Sequence, residues 1–176
     1  MERSCTMRKA VERIGLPLLY FVLVACAAFT GGCERDQSWK TGSKAPQISV
    51  LDLHDATVKL SDFKGKVVVL RFWATGCKSC VEGMPALDGF RKKYAENDLA
   101  VLGINIGGSK EMVEAFAKGL KITYPVLLDP ANMASKKYSV RSVPTTFFID
   151  RNGIAKQVIA GEVPQKVFDQ IVGKLL

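Results

Sequence analysis

The sequence predicts an α/β sandwich built on a mixed β-sheet. Apolar, β-branched runs of strand length alternate with segments of helical spacing over most of the chain, as in parallel strands joined by helices. The run 67–73 is apolar except at Arg71, which is typical of a strand buried on both faces. Asn152 and Gly153 lie between two apolar runs and predict an antiparallel hairpin. Because both kinds of pairing are predicted, the sheet is expected to be mixed.

The predicted elements follow the order β-β-β-α-β-α-β-α-β-β-α. The first two strands are expected to form an N-terminal β-hairpin, because His54, Asp55 and Ala56 between them are turn-like. Ser109 is a good N-cap for the second helix. The strands are expected at residues 48–53, 58–60, 67–73, 99–106, 124–128, 145–149 and 154–159. The helices are expected at residues 80–94, 110–120, 131–138 and 163–176.

Residues 1–33 are expected to be a targeting segment outside the fold. Three basic residues precede an apolar run of about 14 residues, which is shorter than a membrane span and typical of a signal-peptide core. The segment resembles a bacterial lipoprotein signal, which is cut before a cysteine that then carries lipid. Cys33 is the favoured attachment residue because the apolar run has ended there, and Cys26 is the alternative. An uncleaved anchor without lipid is a third possibility.

The rest of the chain is expected to be a polar linker at residues 34–45 and one domain at residues 46–176. The net charge is +8, but the basic residues of the domain are scattered among acidic ones. Nucleic-acid binding requires a basic, aromatic-lined face, so that class of partner is excluded. The tether predicts a membrane-anchored domain outside the cytoplasm, on the periplasmic side or the outer face of the cell membrane, in an oxidising compartment.

Cys77 and Cys80 are the only cysteines outside residues 1–33. A Cys-x-x-Cys pair that follows a buried strand and opens a helix is typical of a redox motif. The positive end of the helix is expected to stabilise a thiolate on Cys77, and Lys78 adds a neighbouring positive charge. Cys80, one turn later, can then attack a mixed disulfide. A structural disulfide or half of a metal site are the alternatives, although zinc needs four ligands and His54 is the only histidine.

With this motif the chain resembles the thioredoxin superfamily, and within it the membrane-anchored, extracytoplasmic ResA/TlpA-like branch with its redoxin domain. The resemblance covers about residues 43–176. It implies a thioredoxin-like three-layer sandwich with a strand-helix insertion within residues 99–138. The matching segments are residues 60–70, Phe72-Trp73-Ala74-Thr75, Cys77-Lys78-Ser79-Cys80, Met84-Pro85 and Val143-Pro144-Thr145-Thr146-Phe147.

The resemblance also implies roles around the cysteines. The bond before Pro144 is expected to be cis, in a loop that includes Thr145. This arrangement would leave the backbone of Val143 free to pair with an extended substrate, and it would keep the two thiols from capturing a metal. Trp73 is expected to pack beneath the disulfide as core and as a wall of the pocket.

Three positions depart from the pattern of this branch. Gly76 stands where a bulky aromatic residue is usual, which should loosen the loop and expose the sulfur of Cys77. Ser79 stands where proline is frequent, and its hydroxyl can donate to a thiolate. Gly83 stands where these reductases commonly carry a buried glutamate.

The proton acceptor for Cys80 is therefore open. Glu82 is a candidate one residue from the usual position, which is about 100° around a helix. Glu162, in the loop expected after the last strand, is a second candidate, and water is a third. Arg71 is expected either to lie near the resolving thiol, whose pKa it would lower, or to extend to the surface.

These observations predict a thiol-disulfide oxidoreductase that reduces client proteins through Cys77 and Cys80. The resemblance implies a membrane thiol-disulfide electron donor and, as one task, the reduction of apocytochrome c in cytochrome c maturation. The cycle needs no metal and no organic cofactor, and the domain is expected to be a monomer.

Two other functions compete with this prediction. A thiol peroxidase of the peroxiredoxin type would want a threonine where Ala74 stands. A copper-delivery module with the same fold usually has more widely spaced cysteines and a histidine further along the chain than His54.

Overall fold

The computed structural model describes residues 39–94 and 99–176, and in that part of the chain the elements follow the predicted order. One short 3₁₀ helix, Leu60–Phe63, is added after the second strand. The strands are β1 Ser49–Asp52, β2 Thr57–Lys59, β3 Val67–Trp73, β4 Leu99–Asn105, β5 Val126–Leu128, β6 Thr145–Ile149 and β7 Ala155–Ala160. The helices are α1 Lys78–Lys93, α2 Lys110–Gly119, α3 Met133–Lys137 and α4 Gln165–Leu175.

The sheet is mixed, as predicted, with the strand order β2-β1-β5-β4-β3-β6-β7. The strands β3, β4 and β5 are parallel to one another, whereas β6 is antiparallel to β3 and to β7, and β1 is antiparallel to β2 and to β5. Because parallel strands end at the same edge, the loops that follow β3, β4 and β5 share one edge of the sheet. Cys77 and Cys80 lie at this edge, immediately after β3.

The two faces of the sheet bury separate apolar clusters. All seven residues of β3 are buried, which confirms the prediction of a strand covered on both faces. Alternate residues of β3 join different clusters because side chains in a strand point to opposite faces. The cluster that includes Trp73 and Cys80 packs under α1, α2 and α4, and we call this side the cysteine face. The cluster that includes Phe72 and Phe147 packs under α3 and the N-terminal segment, and we call this side the aromatic face.

Part of the predicted linker, residues 39–45, is packed against the domain. The indole Nε1 of Trp39 donates to the carbonyl of Tyr138 at 2.8 Å. Lys44 forms an isolated antiparallel bridge with Ile154, and Ala45 is buried. The polar composition of this stretch did not predict these contacts, because they are made by backbone groups and by the ring of Trp39. The structured part of the chain therefore begins before residue 46.

The predicted signal segment 1–33, with Cys33 and Cys26, lies outside the described residues. Within residues 39–94 and 99–176, the structure contains no helix that combines the length and the apolar character needed to cross a membrane.

Candidate functional site

Cys77 lies at the N-cap of α1, directly after the loop that leaves β3. Its backbone is extended, with φ −95° and ψ 103°, and its sulfur accepts from the backbone N–H of Cys80 at 3.2 Å. The helix begins two residues earlier than the sequence predicted, because the cysteine side chain itself serves as the cap. One of the otherwise unpaired N–H groups of the first turn therefore points at the sulfur of Cys77, as an anion-stabilising site requires.

Cys77 and Cys80 are joined by a disulfide, with a Cα–Cα distance of 5.2 Å. The two sulfurs differ in their surroundings. Cys77 is half-buried at the edge of the sheet, whereas Cys80 is fully buried in the apolar cluster of the cysteine face. An external thiol or disulfide can therefore approach Cys77 more easily than Cys80.

The residues next to Cys77 differ in whether they can stabilise a thiolate on its sulfur. The hydroxyl of Ser79 lies 3.5 Å from the sulfur of Cys77, close enough to donate to a thiolate there. Lys78 is strongly exposed, and its Nζ lies 3.8 Å from Oε1 of Glu82, so that carboxylate partly balances its charge. Gly76 does not have a positive φ, and a Cβ there would have no neighbour within 4 Å. The backbone therefore does not require glycine at position 76.

The bond between Val143 and Pro144 is cis, and this loop lies beside the disulfide. The carbonyl oxygen of Val143 is 3.6 Å from the sulfur of Cys77. The oxidised sulfur carries no proton, so this is a contact and not a hydrogen bond. Thr145 is buried, and its hydroxyl donates to the carbonyl of Ser142 at 2.6 Å. Thr145 thus holds the loop in place, while Val143 faces the cysteines.

Trp73 is fully buried and belongs to the same cluster as Cys80, as expected for a residue packed beneath the disulfide. Its indole Nε1 has no hydrogen-bond partner among the described residues. It stands opposite Asn105 in the register of β3 and β4.

The candidates for proton handling are placed differently from one another. Glu82 is exposed and turned toward Lys78, away from the buried thiol, so the structure gives it no role at Cys80. Glu162 forms an ion pair with Arg71. Arg71 is only 2% exposed, so the alternative in which it extends to the surface is wrong.

Gly83 explains how Glu162 reaches this position. A Cβ at Gly83 would come within 2.7 Å of Oε1 of Glu162 and would overlap the rest of the carboxylate. The glutamate that was missing from position 83 is thus matched by a carboxylate from another part of the chain. The sequence showed the glycine as a loss, because only the fold brings residue 162 to it.

Tyr124 and Thr146 lie near Arg71, and the sequence did not indicate a role for either of them. Burial raises the pKa of Tyr124 well above that of an ordinary phenol, against an opposing effect of Arg71. Thr146 is directly opposite Arg71 in the register of β3 and β6, and its hydroxyl has no partner among the described residues. Their only signal in the sequence was a polar residue at a position predicted to be buried.

No group of three or more His, Cys, Asp or Glu side chains arranged to hold a metal ion is present in the described ranges 39–94 and 99–176. His54 is exposed and lies in the predicted turn between β1 and β2.

Comparison with known proteins gives consistent relatives. The model of the AhpC/TSA family matches residues 41–158. The thiol-disulfide oxidoreductase ResA of Geobacillus kaustophilus is 32% identical over 159 residues, which are 90% of this chain and 91% of that protein. The protein of the same name from Geobacillus thermodenitrificans is 36% identical and covers 93% of this chain and 94% of its own. A crystal structure described as a thiol:disulfide interchange protein DsbE from Chlorobium tepidum superimposes with a TM-score of 0.73, at 30% identity, over 79% of this chain and 100% of that one.

Proposed function

The chain belongs to the AhpC/TSA family, has a thioredoxin-like fold and is a thiol-disulfide oxidoreductase, and we propose that Cys77 and Cys80 are its redox pair. The observation that carries this assignment is their geometry. Cys77 caps α1, because its sulfur accepts a hydrogen bond from the backbone N–H of Cys80. It forms a disulfide with Cys80 and lies beside the cis loop at Val143. We further propose that the cycle uses no metal and no organic cofactor.

In the proposed reaction, Cys77 attacks and Cys80 resolves. The thiolate of Cys77 attacks a client disulfide, forms a mixed disulfide and releases one client thiolate, which takes a proton from water. Cys80 then loses its proton to water and attacks the sulfur of Cys77. The bond to the client breaks, the second client thiolate is protonated, and the disulfide Cys77–Cys80 is formed. Two electrons pass from the dithiol to the client.

The surroundings of the two cysteines support this assignment of roles. The N-terminal end of α1 and the hydroxyl of Ser79 stabilise negative charge on Cys77. Cys80 is buried and is one helical turn from Cys77. The backbone of Val143 offers an extended client a place to pair, and Trp73 supports the disulfide from below.

We propose that the clients are proteins with cysteines or disulfides outside the cytoplasm, and that the enzyme works mainly as a reductase. The proposed tether is the N-terminal segment, with lipid on Cys33 or alternatively on Cys26. A membrane thiol-disulfide carrier would return electrons to the Cys77–Cys80 disulfide. Reduction of apocytochrome c before haem attachment is the client task that we consider first.

The test is capture of the mixed disulfide in cells with the Cys80→Ser variant of the full chain. Loss of the resolving thiol should leave clients bound to Cys77, and their identification by mass spectrometry gives the client class. The double variant Cys77→Ser, Cys80→Ser is the matched control and should capture none of them. If the single and the double variant capture the same proteins, Cys77 is not the attacking residue.

Two assays on the purified chain separate the competing functions. Reduction of insulin disulfides that is much faster than consumption of hydrogen peroxide supports the oxidoreductase, and the reverse order supports a thiol peroxidase. Tight, stoichiometric binding of copper by the reduced chain that is lost in Cys77→Ser would support a copper-delivery module instead.

A further inference from the structure

An ion pair with one buried and one exposed member lies on the cysteine face, beneath the first turns of α1. Arg71 is the only charged residue of β3, and in the register of the sheet it is flanked by Gly103 on β4 and Thr146 on β6. Its guanidinium pairs with the carboxylate of Glu162, which comes from the loop after β7. The Arg71 side chain is 3% exposed and the Glu162 side chain 40% exposed, so the pair connects the core with solvent.

The position of Gly83 places this carboxylate near the resolving cysteine. Gly83 lies three residues after Cys80 on α1, and helix neighbours at that spacing have Cβ atoms about 5–6 Å apart. A Cβ at Gly83 would overlap the carboxylate of Glu162. The carboxylate therefore fills the volume of a side chain at position 83, one turn of the helix from Cys80.

Stability does not explain this polar cluster. Burial of a charge such as that of Arg71 costs free energy by desolvation, so its pairing with a carboxylate is weak evidence for a structural role. The Nε of Arg71, the hydroxyl of Thr146 and the indole Nε1 of Trp73 are all buried without a partner among the described residues. Each unpaired polar group in a core costs free energy, which suggests a functional reason for this arrangement.

The loop that carries Glu162 also belongs to the site of the cysteines. The backbone N–H of Gly161 donates to the carbonyl of Pro144 at 2.7 Å. The backbone next to Glu162 is therefore tied to the cis loop beside Cys77.

The other ionisable groups near Cys80 leave Arg71 and Glu162 as the dominant charges. The ring of Tyr124 packs over Gly103 and interacts electrostatically with both Arg71 and Glu162. Burial raises the pKa of Tyr124 and keeps the phenol neutral. Several further charges on the elements around the cysteine face have ion-pair or hydrogen-bond partners of their own. These are Asp88 with Lys92 and Thr123, Lys78 with Glu82, Asp169 with Lys93, and Lys110 with Asp55.

We propose that Glu162 is a positioning residue for the resolving thiol, because it balances the charge of Arg71 and keeps Cys80 protonated while Cys77 ionises. An unbalanced cation at this place would favour a thiolate on Cys80 as well. The two sulfurs would then no longer be divided into an attacking thiolate and a waiting thiol. This inference rests on the proposed redox roles of Cys77 and Cys80.

The test is the titration of each cysteine in the reduced, full-length protein, followed by the Cβ resonances of carbon-13-labelled cysteine. Glu162→Gln keeps the shape of the side chain and removes its charge, so the pKa of Cys80 should fall by about 1 unit or more, with a smaller change at Cys77. Gly83→Ala keeps Glu162 but places a methyl group where its carboxylate lies. It should shift Cys80 in the same direction.

Glu82→Gln is the matched control, because it makes the same change of charge on the exposed side of α1 and should leave the titration of Cys80 unchanged. The inference is overturned if Glu162→Gln leaves the pKa of Cys80 unchanged or raises it, or if Glu82→Gln lowers it equally. Circular dichroism checks the fold, and Gly83→Ala carries the test if Glu162→Gln does not fold. Insulin reduction by the unmodified protein is a separate readout. If it is absent, the proposed redox function fails whatever the titration shows.

Discussion

The two faces of the sheet treat polar groups differently. On the aromatic face, Tyr138 donates its hydroxyl to the carbonyl of Pro46 at 2.9 Å, and Trp39 donates to the carbonyl of Tyr138. On the cysteine face, the strands contain four buried polar atoms without a partner among the described residues: Nε of Arg71, Nε1 of Trp73, Nδ2 of Asn105 and Oγ1 of Thr146. All four belong to the strands that flank the cysteine pair. The aromatic face thus pairs these polar groups, whereas the cysteine face keeps unpaired polar groups, which cost free energy, close to the two cysteines.

The largest effect should come from the cysteine face and should concern activity alone. Cys77→Ser removes the proposed nucleophile, so insulin reduction should fall to the uncatalysed rate. Cys77 is half-buried at the edge, so the unfolding midpoint of the variant in urea should match that of the reduced unmodified protein. Residual catalysis above the rate of the double variant Cys77→Ser, Cys80→Ser would contradict the assignment of Cys77.

The aromatic face should show the opposite result. The ring of Phe147 lies with its centroid 5.0 Å from Trp39, 5.7 Å from Phe72 and 4.8 Å from Tyr138. Phe147→Ala should therefore lower the free energy of unfolding in urea by about 3–5 kcal/mol. The titrations of Cys77 and Cys80 should stay unchanged.

Phe147→Leu is the control for this prediction, because it keeps most of the apolar volume and should cost clearly less than the change to alanine. A loss below about 1 kcal/mol for Phe147→Ala would mean that the aromatic face is not the stabilising one. A shift in the titration of either cysteine would mean that the two faces are not independent.

The sequence predicts what is local and leaves out what the fold brings together. β3 is read correctly because burial on both faces produces a continuous apolar run. The cap at Cys77 follows from its place between a strand and a helix. The contact of Trp39 with Tyr138 spans 99 residues, and the pair Arg71–Glu162 spans 91, so no spacing rule could find them. Arg71 looked like an exception in a strand because its partner is distant in sequence.

A buried charge farther from the cysteines provides an intermediate case on the cysteine face. Asp88 on α1 is 5% exposed, and it accepts from the backbone N–H of Thr123 at 2.9 Å and from the hydroxyl of Thr123 at 2.7 Å. Burial alone would raise the pKa of Asp88, but hydrogen bonds from Lys92 and Thr123 outweigh it, and the pKa is lowered. A carboxyl with a lowered pKa in the folded state stabilises the fold above its unfolded pKa, and this contribution is lost as the pH falls through the folded value.

Asp88→Asn should consequently cost about 1–3 kcal/mol in urea unfolding at neutral pH. The variant should also lose less stability than the unmodified protein when the pH is lowered from about 5 to about 3. Glu82→Gln, an exposed carboxylate on the same helix, should change neither quantity noticeably. Equal acid sensitivity of Asp88→Asn and the unmodified protein would show that the bonds to Asp88 do not lower its pKa.

The smallest effect is expected at the edge where the two faces meet, at Gly76. The conformation of Gly76 does not need glycine, and a Cβ there meets open space. Gly76→Ala should therefore raise the free energy of unfolding by up to about 1 kcal/mol, because it restricts the unfolded chain. The rate of insulin reduction should change by no more than about twofold. Such a change corresponds to much less than the roughly 1.4 kcal/mol of a tenfold change in rate.

Gly65→Ala, at a turn with φ +85°, is the comparison, because a side chain is strained there and the variant should be destabilised. A destabilising Gly76→Ala would show that the loop before Cys77 needs a conformation that only glycine adopts in solution. The edge would then owe its shape to glycine, and not to the cap and the cis loop that hold it from either side.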